Sequence, residues 1–305
     1  MDNFSPLREL HQLKNKVYLF KPSLATRVRD NMFGDTPLPP EEPTGENPPD
    51  GANIDFYLPS DAKKVSLEIW DSKKQLVREY SSTTQMKLPD STGLPHPTYW
   101  IRPKSKLSTE KGHQRFVWNL RYENPKRAKR SYAISAVQYN TPISPKGPFV
   151  APGIYTIRLT VDEKTLEQEI TVRMDPRVKS SDADIQLQTD FSLKVYSAYE
   201  ELVATRIAAQ EMFKNKRVNK KVKAERNKFI GEKDPSEGDQ LYGSIYDVPF
   251  EDETLVGLQE KLLHTLIVLQ ASDKRPTEAT ITAVGQLLDM KDRFVKEWKK
   301  LEMNR

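Results

Sequence analysis

The chain has 305 residues, with 36% hydrophobic and 30% charged side chains, which suits about two domains at roughly 100–200 residues each. It has no cysteine, and this excludes disulfides, thiolate metal sites and cysteine nucleophiles. The net charge of +5 comes from residues 1–179, where Lys and Arg number 28 against 21 Asp and Glu, compared with 20 against 22 in residues 180–305; spread in this way it does not make the basic element of a nucleic-acid reader.

Leu7, Leu10 and Leu13 give the start of the chain a short amphipathic stretch. The run Val17-Tyr18-Leu19-Phe20 follows and predicts a short strand or an extended tether ending at Pro22. Residues 30–52 are dense in Pro, Gly, Asp and Asn and predict a loop. Strand alternation then begins. Ile54, Phe56 and Leu58 share one face, as do Val65, Leu67 and Ile69, and the polar turn Asp71–Lys74 leads into a partner strand over residues 75–80. Trp70 alternates outward, where it is either one of the aromatics suited to stacking on a sugar or packed under a long loop or against the helices. Residues 81–112 carry Pro89, Pro95, Pro97 and Pro103 and lack pattern. Phe116, Trp118 and Leu120 then alternate with polar neighbours, placing Trp118 in the core. A second irregular stretch, residues 122–150, precedes the clearest hairpin: Tyr155, Ile157, Leu159 and Val161, a turn at Asp162–Lys164, then Leu166, Ile170, Val172 and Met174. Short strands without intervening helices favour an antiparallel sandwich over a parallel α/β sheet.

After Asp175-Pro176 the period changes. Ser181 and Asp184 have the spacing of a capping box, and Phe191, Val195, Tyr199 and Leu202 predict a helix to about residue 216, with 214–228 extending it as a basic tail. Residues 231–253 predict a loop. Leu255, Leu258, Leu262, Leu266 and Leu269 make a second helix. Ile281, Val284, Leu288, Val295, Trp298 and Leu301 make a third, started by Pro276-Thr277. Three such stripes bury one another as a bundle. The fold class expected is therefore α+β in several domains: a tether over 1–44, an Ig-like or fibronectin-like antiparallel β-sandwich over 45–178, and a three-helix bundle over 180–305.

The residues offer little chemistry. The four histidines, His11, His96, His113 and His264, lack a partner at ligand spacing, and HExxH, P-loop, GxGxxG, EF-hand and GxSxG patterns are absent. The carboxylate pairs Glu41-Glu42 and Asp162-Glu163 fall in predicted loops and turns, whereas glycosidase chemistry needs two carboxyls at a fixed separation across a cleft. No catalytic residue, metal site or cofactor is therefore expected. Two binding candidates stand out. The Tyr99-Trp100 pair in an irregular loop is suited to stacking on a sugar, with local packing within the loop as the more ordinary reading. The basic run Lys126, Arg127, Lys129 and Arg130 is suited to phosphate or acidic polysaccharide, although a solvated loop is the more ordinary explanation of a charge run, which alone carries little specificity. Residues 214–223 are basic but carry no interleaved aromatics for stacking bases, so nucleic acid is not an expected partner. No stretch approaches the apolar length of a membrane span, and the start lacks the apolar run of a signal peptide, which predicts either a cytoplasmic protein or a piece of a longer one.

Several segments together resemble one family: DNFSPLREL at 2–10, VYLFKP at 17–22, GENPPDGANIDFYLP at 45–59, LEIWDSKKQLVREY at 67–80, RFVWNLRYENP at 115–125 and APGIYTIRLTVDEKTLEQEITVRMDPRV at 151–178. They look like the C-terminal region of large bacterial sialidase-like, BNR-repeat or sortilin-like β-propeller proteins, often labelled glycosyl hydrolase-like. The resemblance implies that residues 1–44 leave the last propeller blade and that any active site sits on the propeller. It implies a non-catalytic accessory module in a periplasmic, cell-surface or secreted protein, with that propeller as partner and a protein or polysaccharide as ligand. A carbohydrate-binding module, or part of a glycoside hydrolase, is the alternative. The loops at 81–112 and 122–150 depart from the family pattern, so binding carried by them is not inherited from it.

Overall fold

The computed structural model describes residues 4–13, 15–29, 43, 50–85, 97–103, 105–128, 131–132, 141, 143–214, 220–231 and 253–303. In chain order its elements are α1 (Ser5–Glu9), β1 (Tyr18–Leu19), β2 (Ala25–Arg27), β3 (Ala52–Leu58), β4 (Val65–Trp70), β5 (Leu76–Ser81), β6 (Gly112–Trp118), β7 (Ser131–Tyr132), β8 (Ile143–Ser144), β9 (Gly153–Val161), β10 (Lys164–Met174), α2 (Asp182–Lys214), α3 (Lys220–Phe229), α4 (Leu255–Leu269) and α5 (Glu278–Met303). The protein is thus a mixed α+β chain whose sheets are largely antiparallel.

The strands build a three-stranded sheet, ordered β1-β3-β6, and a five-stranded sheet, ordered β2-β10-β9-β4-β5; β7 and β8 pair separately. All pairings are antiparallel except that of β2 with β10, where Ala25 sits opposite Val172. Alternation decides which residues face inward. Ile54, Phe56 and Leu58 from the small sheet meet Val65, Leu67, Ile69, Ile157 and Leu159 from the large one in a single hydrophobic cluster, with Trp118 fully buried among them. The β4–β5 and β9–β10 hairpins form where turn chemistry allows. Asp71 Oδ1 accepts from the amides of Lys73 and Gln75 at 2.9 and 2.8 Å, and Lys74 takes the positive φ of the turn. Asp162 turns β9 into β10 and accepts from the amides of Lys63 and Lys64, both at 2.9 Å.

The run at 17–20 supplies the short strand β1 to one sheet, and residues 25–27, expected within the tether, contribute β2 to the other. Strands of two and three residues are too short to reveal a period of two, and β2 is held by its neighbour β10. Trp70 stands on the outer face of the large sheet beneath Arg158, whose guanidinium is 5.2 Å from the ring centre. At Gly51, entering β3, φ is +138°, and an added Cβ would lie 2.2 Å from the Trp118 carbonyl oxygen. Gly51→Ala is expected to cost about 1–3 kcal/mol in backbone strain alone, visible as a lower urea midpoint.

The helices gather a second cluster. Leu258, Leu262, Leu266 and Leu269 of α4 pack with Val195, Tyr199 and Leu202 of α2 and with Val284 and Trp298 of α5, joined by Phe229 at the end of α3. Phe229 stacks on Trp298 with ring centres 6.1 Å apart. The start of α2 carries the expected cap, and the start of α4 carries one as well. Ser181 Oγ accepts from the Asp184 amide at 3.2 Å and donates to the Asp184 carboxylate at 2.7 Å, and Thr254 Oγ1 accepts from Gly257 N at 3.1 Å. Residues 215–219 and 232–252 of the expected basic tail and loop lie outside the described residues.

Candidate functional site

The densest polar constellation lies where the sheets meet the helices. Strands and helices scarcely touch each other directly, so short loops make the joint. On the sheet side β2 ends in Arg27, whose side chain has 0% exposure, followed two residues later by Arg29. On the helix side, the turn between α4 and α5 supplies Asp273. One Asp273 oxygen accepts from Arg27 Nη2 at 2.6 Å and from Arg29 Nη2 at 2.9 Å, and the other accepts from Arg29 Nε at 2.9 Å. Arg27 also donates to the Val150 carbonyl at 2.9 Å, and Arg29 to the Gln270 carbonyl at 2.7 Å. Phe149 sits beneath, with the guanidinium carbons of Arg121, Arg27 and Arg29 at 3.3, 4.8 and 5.7 Å from its ring centre.

The neighbouring amides close the joint. Gln188 of α2 donates to the Leu269 carbonyl at 2.7 Å and also to the carbonyl of Ser272. Gln270 donates to Ser192 Oγ at 2.9 Å while its carbonyl end accepts from the Phe149 amide at 2.9 Å. Burial lowers the pKa of Arg27 and the Asp273 carboxylate raises it; a guanidinium remains protonated throughout. The arrangement anchors and orients; it presents no open coordination position or nucleophile.

A second set of polar side chains lies on the outer sheet faces. Asp55, nearly buried, takes Arg115 Nε at 2.8 Å from the strand opposite and has His113 Nε2 at 3.0 Å. This imidazole–carboxylate contact escapes a reading of the sequence, since β3 and β6 are far apart along the chain; only their register, with Asp55 opposite Arg115, brings the three together. On the large sheet Arg158 spans Glu167 at 2.7 Å and Glu68 at 3.4 Å, and Glu68 also accepts from the indole N–H of Trp70 at 3.0 Å.

The sequence candidates separate. Tyr99 and Trp100 stand on a single 3₁₀ turn, Thr98–Trp100, with rings edge to face at 6.2 Å and an 86° interplanar angle; Tyr99 is 52% exposed. This is one presented ring with a second beside it, not a flat double platform. Lys126 and Arg127 are drawn onto α2: the Lys126 amide donates to Glu200 at 2.8 Å, the Lys126 carbonyl accepts from Tyr199 Oη at 2.9 Å, and Arg127 Nη1 reaches Gln210 at 3.2 Å. Ala128 is buried in the helical cluster. The first half of this basic run is therefore a docked segment, with both side chains still exposed. Lys129 and Arg130 lie outside the described residues. The carboxylates Glu41 and Glu42 also lie outside.

A cleft of 540 Å³ opens between the ends of β9 and β10 and the start of α2, lined among others by Ile154, Arg173, Met174, Asp182 and Gln186. Among the described residues no group of three His, Asp or Glu side chains is placed to hold a metal ion, and no helix is long and apolar enough to cross a membrane.

Four tyrosines around the joint and core have phenols whose pKa is raised by burial. Tyr80 and Tyr122 are each pushed up to about 12, and Tyr155 and Tyr196 are also raised. The folded chain therefore holds these protons more tightly than the unfolded one. Stability is intact below the ordinary phenol value near 10 and falls as pH rises through about 12. In a titration followed at 295 nm and by circular dichroism, the expected result is that part of the tyrosine absorbance appears only as the fold is lost. Smooth ionisation of all tyrosines near pH 10 with the fold intact is the contrary outcome.

No family model matches the chain, and no curated protein matches it. Among solved structures, CopC from Methylosinus trichosporium OB3b is similar over 53% of this chain and 99% of its own, at 13% identity and a TM-score of 0.22.

Proposed function

We propose that the chain is a non-catalytic interaction module, an Ig-like sandwich carrying a three-helix bundle, that belongs to a larger exported β-propeller protein and positions a protein or polysaccharide ligand. The observation that carries this reading is the filled interior. Trp118, Ile54, Phe56, Leu67 and Ile157, each at most 1% exposed, occupy the space between the sheets, while the polar groups are tied into the joint or spread over outer faces. Such a body offers surfaces and relative orientation rather than a reaction chamber. The family resemblance of the segments at 2–10, 17–22, 45–59, 67–80, 115–125 and 151–178 supplies the propeller and the exported setting.

A gene whose reading frame encodes a β-propeller and an export signal ahead of this segment is the expected finding. Hydrolysis of a glycan panel by the purified chain, abolished by changing one carboxylate, overturns the non-catalytic assignment. The exposed ring of Tyr99 favours a second reading, a carbohydrate-binding module. On that reading the chain binds members of a glycan array, and Tyr99→Ala weakens binding by roughly tenfold or more, in line with about 1.4 kcal/mol per factor of ten. A blank array removes it.

A further inference from the structure

We propose that Asp273 is an ionic latch between the helices and the sheets, and that its neutralisation lets the helices swing away as a folded unit. The two hydrophobic clusters are separate: one is filled by strands, the other by helices, with Ala128 as the loop residue that enters the helical one. No strand packs broadly on a helix. Hydrogen bonds and side-chain ion pairs cross the boundary. The guanidiniums of Arg27, Arg29 and Arg121 all come from the sheet side and share the face of Phe149, so they repel one another across a few ångströms.

Asp273 is the carboxylate that Arg27 and Arg29 share, and it comes from the helix side. With side-chain exposure of only 6%, it works in a medium where charge pairs are strong and unpaired charges costly. Ser180 Oγ, in the segment linking β10 to α2, donates to the Asp273 carbonyl at 2.7 Å, so the connecting segment meets the latch directly. Attachments that do not use the Asp273 carboxylate would persist after release: that covalent segment, the docked loop at Lys126–Ala128, fixed by Glu200 and Tyr199, and the bonds that Phe149 N and Arg29 make to Gln270. The released helices therefore pivot and do not detach.

The natural absence of cysteine gives a clean test. Spin labels at Glu163→Cys, in the exposed β9–β10 turn, and Lys296→Cys, on the exposed side of α5, report the sheet-to-helix distance in the full chain. The unaltered joint should give one narrow distance distribution. Asp273→Ala should broaden it, while amide exchange stays slow at Ile157 and Leu159 and at Leu262 and Leu266. Arg29→Gln removes the 30% exposed arm and keeps the buried one, so it should broaden the distribution less. A narrow distribution in both variants overturns the latch. So does loss of exchange protection in strands and helices together in Asp273→Ala with an unchanged distribution in Arg29→Gln, since Asp273 would then be a residue of one common core.

Discussion

Replacing Trp118 with alanine is expected to destabilise the chain by about 3–5 kcal/mol, the range for emptying a large aromatic from a close-packed core. Trp118 has no exposed surface and closes the end of β6 opposite Ala52, a residue too small to fill the space left behind. Its ring meets Tyr155 edge to face at 5.5 Å, and its indole N–H donates to the Arg121 carbonyl at 3.3 Å. Tyr155 in turn donates to the Ala151 carbonyl at 2.7 Å, so the cavity opens beside two polar contacts that hold the loops at this end of the sheets. Trp118→Phe separates the two contributions. It keeps most of the volume and loses the indole donor, so about 1–2 kcal/mol is expected from the smaller cavity and the weakened contact. Urea unfolding followed by far-ultraviolet circular dichroism reads both, and a Trp118→Ala midpoint close to that of the unaltered protein would show that Trp118 carries no core.

Trp118 was legible in the sequence because an apolar residue at every second position is a strong signal, and the same signal found both long hairpins. In α4 a leucine every third or fourth residue did as much, and all five predicted stripe leucines are buried. Along α2 the reading was weaker. Phe191, placed on the stripe by spacing, is only partly buried, whereas Gln188, Thr189 and Ser192 are buried fully. Hydrophobic periodicity does not register a polar residue whose burial depends on a partner far away in the chain. Gln188 is buried because Leu269 and Ser272 offer carbonyls, and Thr189 and Ser192 because each donates back to a carbonyl four residues earlier, Ile185 and Gln188. The same limit hid Arg27, Asp273 and the contact between His113 and Asp55. A pair separated by 246 positions leaves no local pattern. Conversely, Tyr99 and Lys126 drew notice by residue type, and type does not say that Lys126 and Arg127 lie along a helix while Tyr99 stands exposed.

Arg27→Ala is the second large effect, expected to cost about 3–5 kcal/mol because it breaks a buried ion pair and strips partners from groups that stay behind. Three acceptors lose a donor: the Val150 carbonyl, the Gln188 side chain and the Asp273 carboxylate. Asp273 keeps its two bonds from Arg29, so its charge is not abandoned, which places the expected value toward the lower end. The companion substitution Asp273→Ala abandons more, since two guanidiniums then face the Phe149 ring without their shared carboxylate. In a double-mutant cycle the pair should therefore be strongly non-additive, with the doubly substituted chain more stable than the two single losses summed by about 0.5–3 kcal/mol. Arg27→Met with Asp273→Leu extends the argument. If burial of the charges costs nearly what their attraction returns, this apolar pair should restore much of the stability lost in Arg27→Ala. Equal unfolding midpoints for Arg27→Ala and the unaltered chain would mean that Arg27 is an occupant of the joint and not a part of its strength.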